Sequence, residues 1–169
     1  ALVGATVAEF GKVDILINNA GIAMGALPED TTLEDWEKVM SINVTGTFLC
    51  AREAAKEMIK AKSGKIINIS SVMGYQTTSV VSAPAYVASK GAVVTLTKDL
   101  AIRWTGHNIN VNAIAPGWFP TNMTTPVISP EFMGKGDELL ASIPAGRFGG
   151  PDDLKGVTVL LSSRASRLE

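Results

Sequence analysis

The chain has 169 residues and a mass of 17.7 kDa, with 46% apolar and 18% charged residues, so it can bury one sizeable core and is too apolar for a disordered chain. Fifteen Lys plus Arg stand against sixteen Asp plus Glu, for a formal charge of -1, and no run of like charge forms a footprint for nucleic acid or an anionic membrane. A lone cysteine, Cys50, excludes an intrachain disulfide framework or a cysteine-cage metal site; a lone histidine, His107, argues against a histidine-based triad or zinc site, and no stretch of about 18 apolar residues spans a bilayer.

Taken in order, the chain begins in a weakly helical segment that leads to Gly11. Val13–Asn18 (VDILIN) is an apolar run too short for a normal helix and reads as a buried strand. Thr31-Thr32-Leu33-Glu34 has the pattern of a capping box. Trp36, Met40, Thr47, Ala51, Ala55, Met58 and Ile59 then keep helical spacing, which predicts one long helix closed by Ser63-Gly64. Lys65–Ser70 (KIINIS) is a second strand. The next helix starts near Pro84 and stops at Gly106, with Ala85, Ala88, Ala92, Leu96, Leu100 and Trp104 as its apolar stripe. Ile109–Ala115 (INVNAIA) is a third strand. Trp118–Gly136, with Pro120, Pro126 and Pro130, has little helical pattern and reads as a binding loop or lid. A last helix is predicted from Pro151, with Asp152 and Asp153 in its positive first turn. The alternation predicts an α/β domain with a parallel sheet, 1–169 as one unit. Buried-type strands need neighbours on both sides, so strands are expected to be missing at both ends.

Four features fall at or just after strand ends, where ligands bind in open parallel sheets. Asn18-Asn19-Ala20-Gly21 follows the first strand, and its small residues admit a flat ligand or make an ordinary turn. Ser71 follows the second strand, where a hydroxyl can orient a substrate carbonyl or satisfy backbone groups. Tyr86 and Lys90, four apart on the helix, share one face. A phenol needs its pKa lowered by about three units to act near neutrality, worth about 4 kcal/mol, the order that one charge at about 4 Å supplies at an effective dielectric near 20. The pair is therefore a candidate acid/base, or a surface Tyr and Lys on an amphipathic helix. Pro116-Gly117 follows the third strand, with Thr121 placed to bond a cofactor amide. Asn43, on the apolar stripe of the first long helix, can hold a water on a proton path to Lys90 or pin the helix.

In order and spacing, Asn18-Asn19-Ala20-Gly21, Asn43, Ile69-Ser70-Ser71, Tyr86-x-x-x-Lys90-Gly91-Ala92, Asn110-Val111-Asn112, Pro116-Gly117 and Thr121 resemble the short-chain dehydrogenase/reductase family. The resemblance implies a Rossmann-type doubly wound parallel sheet and a hydride moved between NAD or NADP and a secondary alcohol or ketone. It implies that Tyr86 is the catalytic acid/base, that Lys90 lowers its pKa and bonds the nicotinamide ribose, that Ser71 positions the substrate oxygen and that Asn43 holds a relay water. Asn19, Ala20 and Gly21 would line the adenosine side; Pro116, Gly117, Phe119 and Thr121 would hold the nicotinamide end, and no metal is implied. The family's glycine-rich phosphate loop does not occur, so the chain resembles a central fragment lacking roughly the first 70–80 and the last 15–20 residues of an ordinary domain. Ala115–Thr124 and Asp152–Gly156 are similar to gluconate 5-dehydrogenase-like members; 3-oxoacyl-carrier-protein reductases look alike at every catalytic position. A non-catalytic fragment, or an epimerase or dehydratase on the same fold, stays open. The family also implies a cytoplasmic homotetramer or homodimer acting on a small molecule, with Ala51, Ala54, Ala55, Val94, Thr97 and Ala101 packing either between chains or inside one.

Overall fold

The three apolar runs pair as parallel strands in the order β1 (Ile15–Asn18), β2 (Gly64–Ile69), β3 (Ile109–Ile114). The computed structural model describes residues 2–129 and 134–166, so Pro130 of the predicted loop lies outside the described residues. Register aligns Asn18 with Asn68 and Ile66 with Val111. Parallel strands need crossovers, and helices α1 (Leu2–Phe10), α2 (Leu33–Met40), α3 (Thr47–Ala61) and α4 (Pro84–Trp104) precede or join them. Beyond β3 come the short α5 (Thr125–Ile128), then α6 (Gly136–Ala141) and α7 (Lys155–Ser162).

Side chains alternate across β2 because a strand has period two. Ile66 packs with Ala51, Ala54 and Met58 of α3, Leu100 of α4, and Ile109 and Val111 of β3 to form the core. Lys65 points the other way and donates to Asn110 Oδ1 at 2.6 Å and to Ser166 Oγ at 2.9 Å, just past α7. Both faces of β2 are thereby covered, as its continuous apolar run requires.

A hydrogen-bonded chain crosses the α3/α4 side of the sheet. Asn18 Nδ2 donates to Thr47 O (3.3 Å) and Asn68 Oδ1 (2.9 Å). Asn68 Nδ2 donates to Thr97 Oγ1 (3.0 Å), which donates to Val93 O (2.7 Å). Asn68 is wholly buried, so its amide has no solvent to replace these partners. Asn68→Ala is expected to lower the unfolding free energy by about 2 kcal/mol, measured by urea denaturation. A loss below about 0.5 kcal/mol would show that the network adds nothing to stability.

Several boundaries differ from the sequence expectation. Thr32, not Thr31, caps α2, accepting Asp35 N–H at 3.1 Å, while Thr31 Oγ1 donates back to Leu27 O. The single long helix is two, joined by a wide π-type turn at Ser41–Gly46. Lys62, in the left-handed region at φ 50°, closes α3. Gly64 instead opens β2, where any Cβ would collide with Met58. The buried face of α4 is Ala85, Ser89, Lys90, Val93, Val94, Thr97 and Leu100, rotated from the alanine stripe, because the sheet selects Val and the polar groups it can bond. Ala51, Ala54, Ala55, Val94 and Thr97 are buried inside this one chain and offer no surface to a second. The helix expected at Pro151 starts four residues later at Lys155; Asp153 accepts Gly150 N–H at 2.7 Å and pairs with Arg147 at 2.6 Å, which holds the preceding turn.

Candidate active site

The carboxyl ends of the three strands and the start of α4 enclose a cavity of about 670 Å³. Asn19, Ala20 and Gly21 line it from the β1 side; Pro116, Gly117, Phe119 and Thr121 line it from the β3 side; Ser71, Tyr86 and Lys90 stand between. Every residue expected to contact a cofactor therefore borders this one cavity. Thr158 and Leu154 from the α7 end complete it, with no spacing signal in the sequence to announce them.

Ser71 caps the short turn Val72–Gly74, its Oγ accepting Met73 N–H at 3.1 Å. The same hydroxyl faces the Tyr86 phenol and favours its charged form. Lys90 lies one turn on, its Nζ 5.6 Å from the centre of the Tyr86 ring and donating to Ile69 O at 2.8 Å. The serine, the phenol and the ammonium thus converge from β2 and α4. Burial pushes the Tyr86 phenol above its ordinary value, and the Ser71 hydroxyl pulls only partly against it. Burial also pushes the Lys90 ammonium down. The expected lowering of the phenol by Lys90 is corrected here: the ammonium sits over the ring and is bonded to a carbonyl, and desolvation dominates.

Two features missed in the sequence hold Lys90 in place. Ser70 Oγ donates to Lys90 O at 2.8 Å. Gly74 lets the Val72–Gly74 turn press on α4, since a Cβ there would stand 2.8 Å from Lys90 C and O. Ser70 looked only like a strand-end hydroxyl, and a glycine before a tyrosine carries no signal of close approach.

Asn43 is 1% exposed and lies in the wide turn after α2. Its Oδ1 accepts Ile22 N–H at 2.9 Å; its Nδ2 donates to Ile22 O at 2.9 Å and to Ser89 Oγ at 2.9 Å. The side chain clasps the turn after Gly21 to α4, and a Cβ on Gly21 would stand 3.2 Å from Asn43 Oδ1 and 3.5 Å from Lys90 Nζ. Thr121 is exposed and engaged within its own turn: its N–H donates to Thr124 Oγ1 at 2.9 Å, and the two hydroxyls meet at 3.2 Å. Gly149, unremarked in the sequence, donates to Trp118 O at 2.8 Å and leaves room for the Phe119 ring.

A smaller cavity of about 80 Å³ adjoins the first and shares Ser71, Tyr86, Gly117, Met123 and Thr124 with it. The phenol and the serine hydroxyl stand where the two meet.

A parallel sheet flanked by helices, opening at its strand ends on a serine, a tyrosine and a lysine, defines a Rossmann-type α/β protein with a crevice lined by those three side chains. The sequence profile of the short chain dehydrogenase family matches residues 1–131, and the chain belongs to that family. It is similar to 2-dehydro-3-deoxy-D-gluconate 5-dehydrogenase of Dickeya dadantii, 46% identical over 167 residues, covering 98% of this chain and 64% of that protein. It is similar also to gluconate 5-dehydrogenase of Gluconobacter oxydans, 43% identical over 161 residues, covering 94% and 60%. Among solved structures it is similar to a gluconate 5-dehydrogenase from Burkholderia cenocepacia in complex with NADP and tartrate, with TM-score 0.89, 38% identity and coverage of 97% of this chain and 63% of that one. The chain thus spans less than two thirds of the length of these relatives.

Proposed function

We propose that the natural polypeptide containing these residues is an NAD- or NADP-dependent oxidoreductase that interconverts a secondary alcohol and a ketone. The observation that carries this reading is the Tyr86 phenol, facing the Ser71 hydroxyl and beside Lys90, at the meeting of a large and a small cavity. The large cavity fits the nicotinamide–ribose end of a dinucleotide: it lies at the strand ends, mixes flat apolar walls with hydroxyls, and has Lys90 as its one cation among the described residues. A bound nicotinamide supplies or accepts the hydride. The chain's own residues handle the proton. Ser71 orients the substrate oxygen, Tyr86 donates its proton to the nascent alkoxide in reduction and takes it back in oxidation, and Lys90 bonds the ribose. Asn43 positions Lys90 and the turn after Gly21; a relay water would use its main chain. Asn19, Ala20 and Gly21 line the adenosine side, and Pro116, Gly117, Phe119 and Thr121 the nicotinamide end. A sugar acid such as gluconate is the substrate class that the relatives' names support. We read residues 1–169 as part of one dinucleotide-binding domain and the protein as cytoplasmic. Assembly into a homotetramer or homodimer is supported by Phe48, Leu49 and Ile102, large apolar side chains left exposed on α3 and α4.

The pH dependence tests the proton assignment. A raised phenol pKa keeps Tyr86 protonated through neutrality, so kcat/KM for ketone reduction is expected to be flat there and to fall as pH rises through that pKa. The oxidation rate should climb over the same interval, since it needs the phenolate. Reduction that accelerates with rising pH would refute Tyr86 as the proton donor.

A further inference from the structure

The turn between α6 and α7 is closed by an ion pair that takes no part in the proton chemistry. Arg147 Nη1 donates to Asp153 Oδ2 at 2.6 Å and Nη2 to Oδ1 at 3.0 Å, while Oδ2 also accepts Gly150 N–H at 2.7 Å. Such a fork fixes direction as well as distance, unlike a point contact between a lysine and a carboxylate. The guanidinium and the Gly150 N–H hold the Asp153 carboxyl down at about 2, so the fork stays ionised through neutrality. The two side chains are 62% and 37% exposed, and an exposed pair adds little to global stability. Its effect falls instead on the short segment it closes.

That segment touches the wall of the large cavity. Inside the closed turn, Gly149 N–H donates to Trp118 O at 2.8 Å. The Phe119 ring lies against Gly149, since a Cβ there would stand 2.3 Å from Phe119 Cε1 and Cζ. Phe119 lines the large cavity. Leu154, directly after Asp153, lines it too, and its carbonyl accepts the hydroxyl of Thr158, a third lining residue, at 2.7 Å. Gly149 and Gly150 in succession leave this backbone unusual freedom, and the fork closes over both.

We propose that Arg147 and Asp153 are positioning residues for the cofactor: by holding the Gly149 turn on Trp118, they keep Phe119, Leu154 and Thr158 in place as the wall that receives the nicotinamide end of the dinucleotide. The inference rests on the oxidoreductase reading and deepens it by naming a surface pair that sets cofactor affinity without touching the cofactor.

The test uses the natural polypeptide with NADPH and NADH. For whichever dinucleotide binds, Asp153→Ala is expected to raise the dissociation constant at least about fivefold, read by nicotinamide fluorescence. The kcat for ketone reduction should stay within about threefold, because Ser71, Tyr86 and Lys90 are untouched. Asp153→Glu keeps a carboxylate and should return the constant to within about twofold of its original value. Without any cofactor, hydrogen exchange at the Gly149 amide should quicken at least about fivefold in Asp153→Ala and recover in Asp153→Glu, while the urea midpoint hardly moves. A smaller rise in the dissociation constant, an unchanged Gly149 exchange rate or a failure of Asp153→Glu to restore both overturns the proposal. Weakened dinucleotide binding of this pattern in a polypeptide that reduces no ketone upholds the positioning role and refutes the oxidoreductase reading alone. Ketone reduction that is lost in Tyr86→Phe, with an unmoved dissociation constant in Asp153→Ala, leaves that reading standing and refutes the positioning role. A polypeptide that takes up neither dinucleotide refutes both.

Discussion

Tyr86→Phe in the natural polypeptide is expected to lower kcat for ketone reduction about 1,000-fold while leaving the NADPH dissociation constant within about threefold of its original value. The substitution deletes one oxygen and keeps the ring, so the cavity walls and the contact of Lys90 with the ring face survive. What disappears is a hydroxyl that both faces Ser71 and stands one helical turn from an ammonium. Without it the nascent alkoxide must take its proton from water, in a crevice that burial has made a poor medium for charge. Stopped-flow NADPH oxidation measures the first quantity and nicotinamide fluorescence the second. A variant retaining more than about one tenth of the rate would remove Tyr86 from the chemistry.

Met58→Ala is expected to destabilise the fold by about 3 kcal/mol, read from chemical denaturation. Met58 is fully buried between α3 and β2, among Ala51, Ala54, Ile66, Leu100, Ile109 and Val111. Its neighbours are mostly small or β-branched and on rigid elements, so they collapse little into the space it leaves. Gly64→Ala alone is also destabilising, by about 2 kcal/mol, because the new methyl collides with the Met58 side chain. In the double variant the methyl enters the vacated space, and the summed penalty should fall by at least about 1 kcal/mol. Simple additivity would mean that Gly64 is required for its backbone rather than for the approach of Met58.

The strands were legible because an apolar run of six or seven residues bounded by turns has few other solutions. The site was legible because Ser71, Tyr86 and Lys90 carry chemistry in their spacing and fall where parallel strands end. The supports were not. Asn68 gave no sign of bridging two layers, since one amide inside KIINIS looks like any other polar residue until Asn18 is set opposite it. The burial of α4 was misjudged because its sheet-facing side is polar: Ser89, Lys90 and Thr97 are buried only because Asn43, Ile69 and Asn68 meet them with hydrogen bonds. Composition along one helix cannot display partners contributed by two other elements. The direction of the Tyr86 shift was missed for a related reason, since spacing gives the neighbour's charge and not the extent of burial.

The wide turn at Ser41–Gly46 also tells how this region tolerates changes of length. Each residue of an α-helix advances the chain by about 100°, so a widened turn resets the angular phase between the segments on either side. Val39 before it and Ala51, Ala54 and Met58 after it are all buried, and Asn43 between them still reaches Ile22. Deleting one residue would restore a regular spiral and swing one flank about a third of a revolution off its seat. This stretch of the chain therefore behaves as a fixed-length coupling, open to exchange of its exposed side chains and closed to insertion or deletion.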